Sequence, residues 1–352
     1  MEDGDRFMNP NFYYGYAPVY DPERERLFQK AQQKKRMRSL CSKMGLFAIV
    51  YMLSMYTVII MLTVLVQIGI IPNSSEVDNL IQIVDPVASS LIPTLIFMAV
   101  MRDKVSNVLT KTAVKPSKLI SVVMLGMGVA MIANIAAGIF DNNISLFQLH
   151  NYGNPETKSS DLPTFLMNIV SVALVPAFAE ELAYRGLVLN QLRKYGDSIA
   201  IFGSALLFGA MHGNTTQIVF AFILGLIFAY ADVKTNSIIP SVIIHFINNL
   251  YAVVTDVLIS NDVLSDQQKN LFYFGIMAAF CVIALLAAVY LARTDKGFFN
   301  LNDKTEYSSL LEFKDKLSAF FFNPGVIIAL SLFFSEMVSN MIPPEVFGGV
   351  VS

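Results

Sequence analysis

Long apolar stretches recur along this 352-residue chain and constrain its fold more than any other feature. Polar segments separate them, and 55% of all residues are hydrophobic whereas 15% are charged. A helix rises about 1.5 Å per residue, so about 20 apolar residues cross the roughly 30 Å hydrocarbon core of a bilayer. The pattern excludes an ordinary soluble domain and predicts an all-α polytopic membrane protein.

Nine segments are candidate membrane spans, and the last of them has the weakest signal. They are Met44 to Ile70, Leu80 to Met101, Leu119 to Phe140, Leu162 to Leu189, Ser198 to His212, Gln217 to Ala231, Ile238 to Leu258, Leu271 to Ala292 and Ala319 to Met341. We therefore expect a bundle of about eight to nine transmembrane helices. The fifth and sixth segments are short, which suits helices that end within a buried hydrophilic chamber.

The spans divide the chain into four regions. Residues 1–43 form a leader with a tail, Met1 to Tyr20, followed by a basic juxtamembrane helix that Asp21 caps and Pro22 begins. The tail is rich in Tyr, Asn, Pro and Gly, and we expect a flexible cytoplasmic segment with a possible partner. Residues 44–161 hold the N-terminal spans, 162–258 the core, and 259–352 a cytoplasmic linker and the last spans.

The distribution of basic residues predicts the orientation of the bundle. With a cytoplasmic N-terminus, most basic linker residues fall inside, and the acidic ones fall in the opposite loops, which also contain Lys158 and Lys269. The inside set is Arg102, Lys104, Lys111, Lys115, Lys118, Arg193, Lys194, Lys234, Arg293 and Lys296, and the outside acidic set is Glu76, Asp78, Asp141, Asp262 and Asp266. We expect an integral membrane protein, in the cell membrane if the source is prokaryotic.

Three charged residues, Glu180, Glu181 and Arg185, interrupt the apolar stretch from Leu166 to Leu189. An ionisable side chain at membrane depth costs roughly 2.5 to 3.5 kcal/mol, so such residues usually serve chemistry, transport or helix pairing. On a helix, Glu181 and Arg185 share one face, whereas Glu180 points about 100° away. We expect Glu181 to pair with Arg185 and Glu180 to face a cavity. Pro176, one turn earlier, either helps to open that cavity or is a simple packing kink.

Two of the three histidines, His212 and His245, fall within apolar spans, whereas His150 falls in an outside loop. Glu181 lies about 24 Å of helix before the inside turn near residue 197, and His212 lies about 22 Å after it. From the next inside turn, the chain climbs roughly 15 to 20 Å to His245 and Asn249. The spacing therefore permits all four groups to reach one layer of the bundle.

This set of residues suits the hydrolysis of an amide bond. A carboxylate beside a histidine can deprotonate water, which is the role expected for a general base. His245 and Asn249 lie one turn apart on one helix face, and an imidazole and an amide so placed can donate hydrogen bonds to an oxyanion.

Three motifs give the chain a family resemblance: EELAYR at residues 180–185, FGAMH at 208–212 and HFINN at 245–249. In this order, they resemble the motifs of the CPBP intramembrane protease family, which includes type II CAAX prenyl endopeptidases. The resemblance covers roughly Leu162 to Leu258. It implies that Glu180 and His212 activate the hydrolytic water, that His245 and Asn249 stabilise the oxyanion, and that Glu181 and Arg185 support the site.

The resemblance implies an intramembrane endopeptidase whose substrate is a membrane-associated protein or peptide. A CAAX-type enzyme would act on a prenylated C-terminus, whereas bacterial relatives imply bacteriocin or signal-peptide maturation and self-immunity. The partners expected are this substrate and the lipid bilayer, with no nucleic acid. We favour water activation without a bound metal because the HExxH helix is absent, although Glu180, His212 and His245 could bind zinc or another divalent metal.

Two other functions are compatible with charged residues in spans. A noncatalytic membrane scaffold could retain the motifs, and an ion-coupled transporter could use buried Glu, Arg and His residues as a relay. Two further acids, Asp85 and Glu336, lie in or near candidate spans. We expect both at helix ends or in helix contacts rather than in catalysis.

Overall fold

The computed structural model describes residues 21–101, 113–145, 162–260 and 265–342. Throughout these ranges the chain is mainly helical, which confirms the predicted all-α class. The tail from Met1 to Tyr20 and the loop residue His150 lie outside the described residues.

The first helix, α1, is longer than the span expected from the sequence. It runs from Pro22–Gln67 without a break, so the predicted juxtamembrane helix continues directly into the first span. Asp21 caps it as expected, because its carboxylate accepts hydrogen bonds from the backbone N–H groups of Glu23 and Arg24 at 3.0 and 3.2 Å. The basic half of α1 is therefore continuous with the transmembrane half.

Nine further helices follow in the described part of the chain. They are α2 Ser75–Val100, α3 Pro116–Ser145, α4 Leu162–Tyr195, α5 Asp197–Ala210, α6 Thr215–Thr235, α7 Ile239–Ser260, α8 Asp266–Thr294, α9 Phe313–Phe321 and α10 Pro324–Ser339. Seven helices among all ten are long and apolar enough to span a membrane, and α9 with α10, bent by 65°, can make an eighth span. The short helix α5 is the exception, as the brevity of the fifth segment predicted, whereas α6 has full length.

The core of the bundle places α4 beside three other helices. α4 and α5 form a hairpin, α5 packs on α6, and α7 packs along the first half of α4. α2 covers another side of α4 and also contacts α1, while α3 packs on α6 and α8. This arrangement brings the three motif-bearing helices, α4, α5 and α7, into contact around one interior space.

The segment after α8 forms hydrogen bonds at the start of α5 and just beyond its end. At the first end, the Asp303 carboxylate accepts hydrogen bonds from the N–H and the hydroxyl of Ser198 at 2.8 and 2.7 Å. At the other end, Asn340 donates through Nδ2 to the Gly213 carbonyl at 3.0 Å. α10 also crosses α1 closely, and a side chain at Gly45 or Gly325 would overlap the opposing backbone. The C-terminal segment therefore belongs to the bundle and braces the helix that leads to His212.

Candidate active site

The two glutamates lie between two irregular stretches of α4. Residues Ile169–Leu174 and Leu182–Leu189 are π-helical, and the short segment between them, Val175–Glu181, is α-helical. π-helical turns within α-helices are rare and occur frequently at functional sites. Apart from Pro176, nothing in the sequence indicated this irregularity.

Glu181 is fully buried and contacts two partners from different helices. Its Oε2 lies 3.0 Å from Arg185 Nε, so the ion pair expected from the i, i+4 spacing is present. Its Oε1 lies 2.9 Å from His245 Nδ1. A carboxylate only accepts hydrogen bonds, so His245 donates through Nδ1. His245 Nε2 is thereby turned toward Glu180, whose Oε2 lies 4.0 Å away.

Aromatic rings enclose the guanidinium group of Arg185. Its central carbon lies 4.3 Å from the centre of the Phe208 ring and 5.1 Å from that of Phe228. Phe228 also stacks on His245, with ring centres 5.3 Å apart. A cation over an aromatic face is attracted electrostatically, and the attraction grows when water is excluded. The Glu181–Arg185 pair is therefore a buried support behind the histidine.

His212 lies in the turn between α5 and α6. Its Nδ1 is 2.9 Å from the Phe208 carbonyl oxygen, which can only accept, so Nδ1 carries the proton and Nε2 can accept one. The turn uses Gly213 at a φ of 62°, where a residue with a side chain would be strained. Asn214 then caps α6 by accepting hydrogen bonds from the N–H groups of Thr216 and Gln217. The turn fixes the orientation of the imidazole.

All four residues predicted as catalytic, Glu180, His212, His245 and Asn249, line one cavity of about 620 Å³. Glu180 exposes 19% of its side chain, and no ion pair within 4.0 Å joins it to His212 in the described structure. The two supporting residues, Glu181 and Arg185, do not line the cavity. The structure therefore separates the two neighbouring glutamates as their angular difference on the helix predicted.

The cavity also includes polar side chains that the sequence analysis did not identify. They are Asn134, Ser171, Gln217, Asn248, Tyr251, Thr255, Asp256 and Tyr273. Asn248 is the one whose sequence position gave a signal, because it adjoins Asn249, and its Nδ2 donates to Asn249 Oδ1 at 3.2 Å. The others lie outside the three motifs, on α3, α4, α6, α7 and α8.

The two further acids considered in the sequence analysis, Asp85 and Glu336, do not line this cavity. Glu336 of α10 accepts a hydrogen bond from the Tyr56 hydroxyl of α1 at 2.5 Å, which is the helix contact expected for it. Asp85 lies in α2, directly before Pro86. Neither acid is therefore added to the candidate site.

A metal centre is not apparent from the donor geometry. Within the described ranges, no group of three His, Cys, Asp or Glu side chains is arranged to hold a metal ion, and this includes Glu180, His212 and His245. A zinc site needs at least three such ligands at about 2.0 to 2.2 Å around one point. We therefore derive no step through a metal.

Comparison with known proteins bears on the same part of the chain. Residues 162–251 match the family model described as type II CAAX prenyl endopeptidase, Rce1-like. The match confirms the resemblance seen in the three motifs. It covers about a quarter of the chain and contains all six residues of the candidate site. No curated protein and no solved structure matches the chain. The Rce1-like match and the apolar helices support a membrane protease in general.

Proposed function

We propose that the protein is an intramembrane endopeptidase that hydrolyses a peptide bond of a membrane-associated protein or peptide. The observation that supports this most is the shared cavity, in which Glu180, His212, His245 and Asn249 meet inside an apolar bundle. Its volume lies within the range of ligand-binding cavities, roughly 300 to 1,000 Å³. In this proposal, the cavity receives a short extended stretch of the substrate that contains the scissile carbonyl.

In the proposed mechanism, Glu180 and His212 hold a water molecule between them. Glu180 takes a proton as the water oxygen attacks the carbonyl carbon, and His212 accepts the second hydrogen bond of the water through Nε2. The carbonyl oxygen gains the negative charge of the tetrahedral intermediate. When the C–N bond breaks, the proton passes from Glu180 to the leaving amine.

His245 and Asn249 are the proposed donors to the oxyanion. His245 donates Nδ1–H to Glu181, and its Nε2, which lies on the side of Glu180, donates to the oxyanion when this nitrogen also carries a proton. Asn249 contributes an amide hydrogen from the same helix face. Donors that are already oriented at the point where charge develops lower the barrier most effectively.

The proposed orientation has the N-terminus and the basic turns in the cytoplasm. Arg193, Lys234 and Lys118 lie near one another at one end of the bundle, since Arg193 donates to the Val233 carbonyl and Lys118 to the Lys234 carbonyl. A cluster of basic residues at one end is typical of the cytoplasmic side. Both a prenylated C-terminus and a peptide undergoing maturation are membrane-associated substrates that fit this proposal.

The proposal is tested by the substitution Glu180→Gln, which keeps the shape of the side chain but removes the base. Membrane peptides and small-protein termini are compared by mass spectrometry in cells that carry equal amounts of each protein. We expect termini that depend on the wild type and fall at least ~100-fold with Glu180→Gln, the usual effect of losing a general base. Asp85→Asn, which removes a membrane acid outside the cavity, is the matched control and should leave the termini unchanged.

Identical termini with folded wild type and Glu180→Gln would refute the protease and favour a scaffold. Once a cleaved peptide is known, the same reaction with purified protein is repeated after thorough chelation. We expect the activity to survive. Activity that is lost on chelation and restored by zinc would contradict the metal-free mechanism.

A further inference from the structure

The Val172 carbonyl lacks its regular helical donor because of the residue four positions later. In an α-helix, each carbonyl accepts from the N–H of residue i+4, and that residue is Pro176, which has no N–H. Val172 also belongs to the π-helical segment Ile169–Leu174, where the regular pattern is already interrupted. Both Val172 and Pro176 line the cavity, so the carbonyl is available beside the site.

Asn249 of α7 supplies the donor that the Val172 carbonyl lacks. Its Nδ2 donates to the Val172 carbonyl oxygen at 3.0 Å, and its Oδ1 accepts from Asn248 Nδ2 at 3.2 Å. The nitrogen and the oxygen of the Asn249 amide thus each have a hydrogen-bond partner, which fixes the orientation of the amide group. An amide nitrogen carries two hydrogens, so one remains for a second acceptor.

We propose that Pro176 is a positioning residue for Asn249. By withholding its own N–H, Pro176 leaves the Val172 carbonyl for Asn249 Nδ2, and this contact directs the second amide hydrogen toward a substrate oxygen. The inference depends on the proposed endopeptidase function, because it explains how the amide that stabilises the oxyanion is held. A proline that only bends α4 would not be linked energetically to Asn249.

The test is a double-mutant cycle with Pro176→Ala, Asn249→Ala and the double variant. Alanine at position 176 supplies an N–H for the Val172 carbonyl, so it competes with Asn249. Asn249→Ala should lower the thermal unfolding midpoint less in the Pro176→Ala protein than in the wild type. Pro93→Ala removes a proline within α2 that does not line the cavity, and it is the matched control for loss of a helix proline.

Activity is measured on a peptide that the wild type cleaves. We expect Pro176→Ala to lower kcat by about 10-fold with KM unchanged, since one misplaced oxyanion donor costs less than the 10²- to 10³-fold of a missing one. The double variant should be no slower than Asn249→Ala alone. Pro93→Ala should retain the wild-type kcat.

If the wild type is active and the effects of Pro176→Ala and Asn249→Ala on both the unfolding midpoint and kcat are additive, the positioning role of Pro176 is overturned. The proposed function would then still stand. A wild type that cleaves nothing, even if the stability effects are coupled, would overturn the proposed function together with the positioning role of Pro176. If Pro176→Ala does not fold, Asn249→Asp provides the decisive measurement, because it keeps the shape but replaces the Nδ2 donor with an acceptor. Unchanged stability and kcat in Asn249→Asp would overturn the proposal.

Discussion

The two faces of α4 differ in how they hold their charged residues. On the closed face, Glu181 has no exposed surface, pairs with Arg185 and accepts a hydrogen bond from His245. On the cavity face, Glu180 keeps part of its side chain accessible, and its Oε2 lies 4.0 Å from His245 Nε2. Two adjacent residues therefore differ: the Glu181 carboxylate stabilises the fold, and the Glu180 carboxylate is available for chemistry.

The largest expected effect is a difference in the free energy of unfolding when each of the two glutamates is replaced by alanine. Glu181→Ala leaves the Arg185 cation buried without its partner, so the free energy of unfolding should fall by about 3 to 5 kcal/mol. Glu180→Ala removes a carboxylate without a close partner and should change it by less than about 1 kcal/mol. Reversible unfolding in mixed detergent micelles measures both. Equal losses in the two variants would show that the faces do not differ as described.

An intermediate effect is expected at the aromatic side of the ion pair. Arg185→Lys keeps the charge but loses the planar group that contacts both Phe208 and Phe228. The free energy of unfolding should fall by about 1 to 2 kcal/mol, the size of a desolvated cation–π contact. Arg26→Lys on the exposed start of α1 is the matched control in the same unfolding experiment. If both substitutions have the same small effect, the aromatic enclosure does not stabilise Arg185.

The smallest expected effect is on the cavity side, where α10 supports the turn that carries His212. Asn340→Ala removes the hydrogen bond to the Gly213 carbonyl and should cost about 0.5 to 1.5 kcal/mol of unfolding free energy. The proposed cleavage activity should fall more than this stability loss explains, because His212 adjoins Gly213. Ser339→Ala, an exposed neighbour, should change neither quantity. An Asn340→Ala enzyme with full activity would show that α10 does not position His212.

The sequence predicted much of the site because helix periodicity is local. The spacing of Glu181 and Arg185 already required them to share a face, and the ion pair is present. The fifth segment was correctly expected to be short. The sequence did not show that His245 bonds to Glu181 through Nδ1, because that contact joins two helices far apart in the chain.

The sequence by itself indicated eight to nine apolar spans, against seven or, with the bent pair, eight in the described residues. It also indicated the family resemblance that the match to residues 162–251 confirms, since both features depend on residue order along single helices. Only the tertiary structure decided which helices line the cavity side and the closed side of α4, and that His245 of α7 bonds to Glu181 on the closed side. It also decided that Asn340 from the C-terminal segment reaches the turn beside His212. The physical reason is that the lateral packing of helices depends on side-chain contacts between distant segments, which hydrophobic spacing alone does not specify.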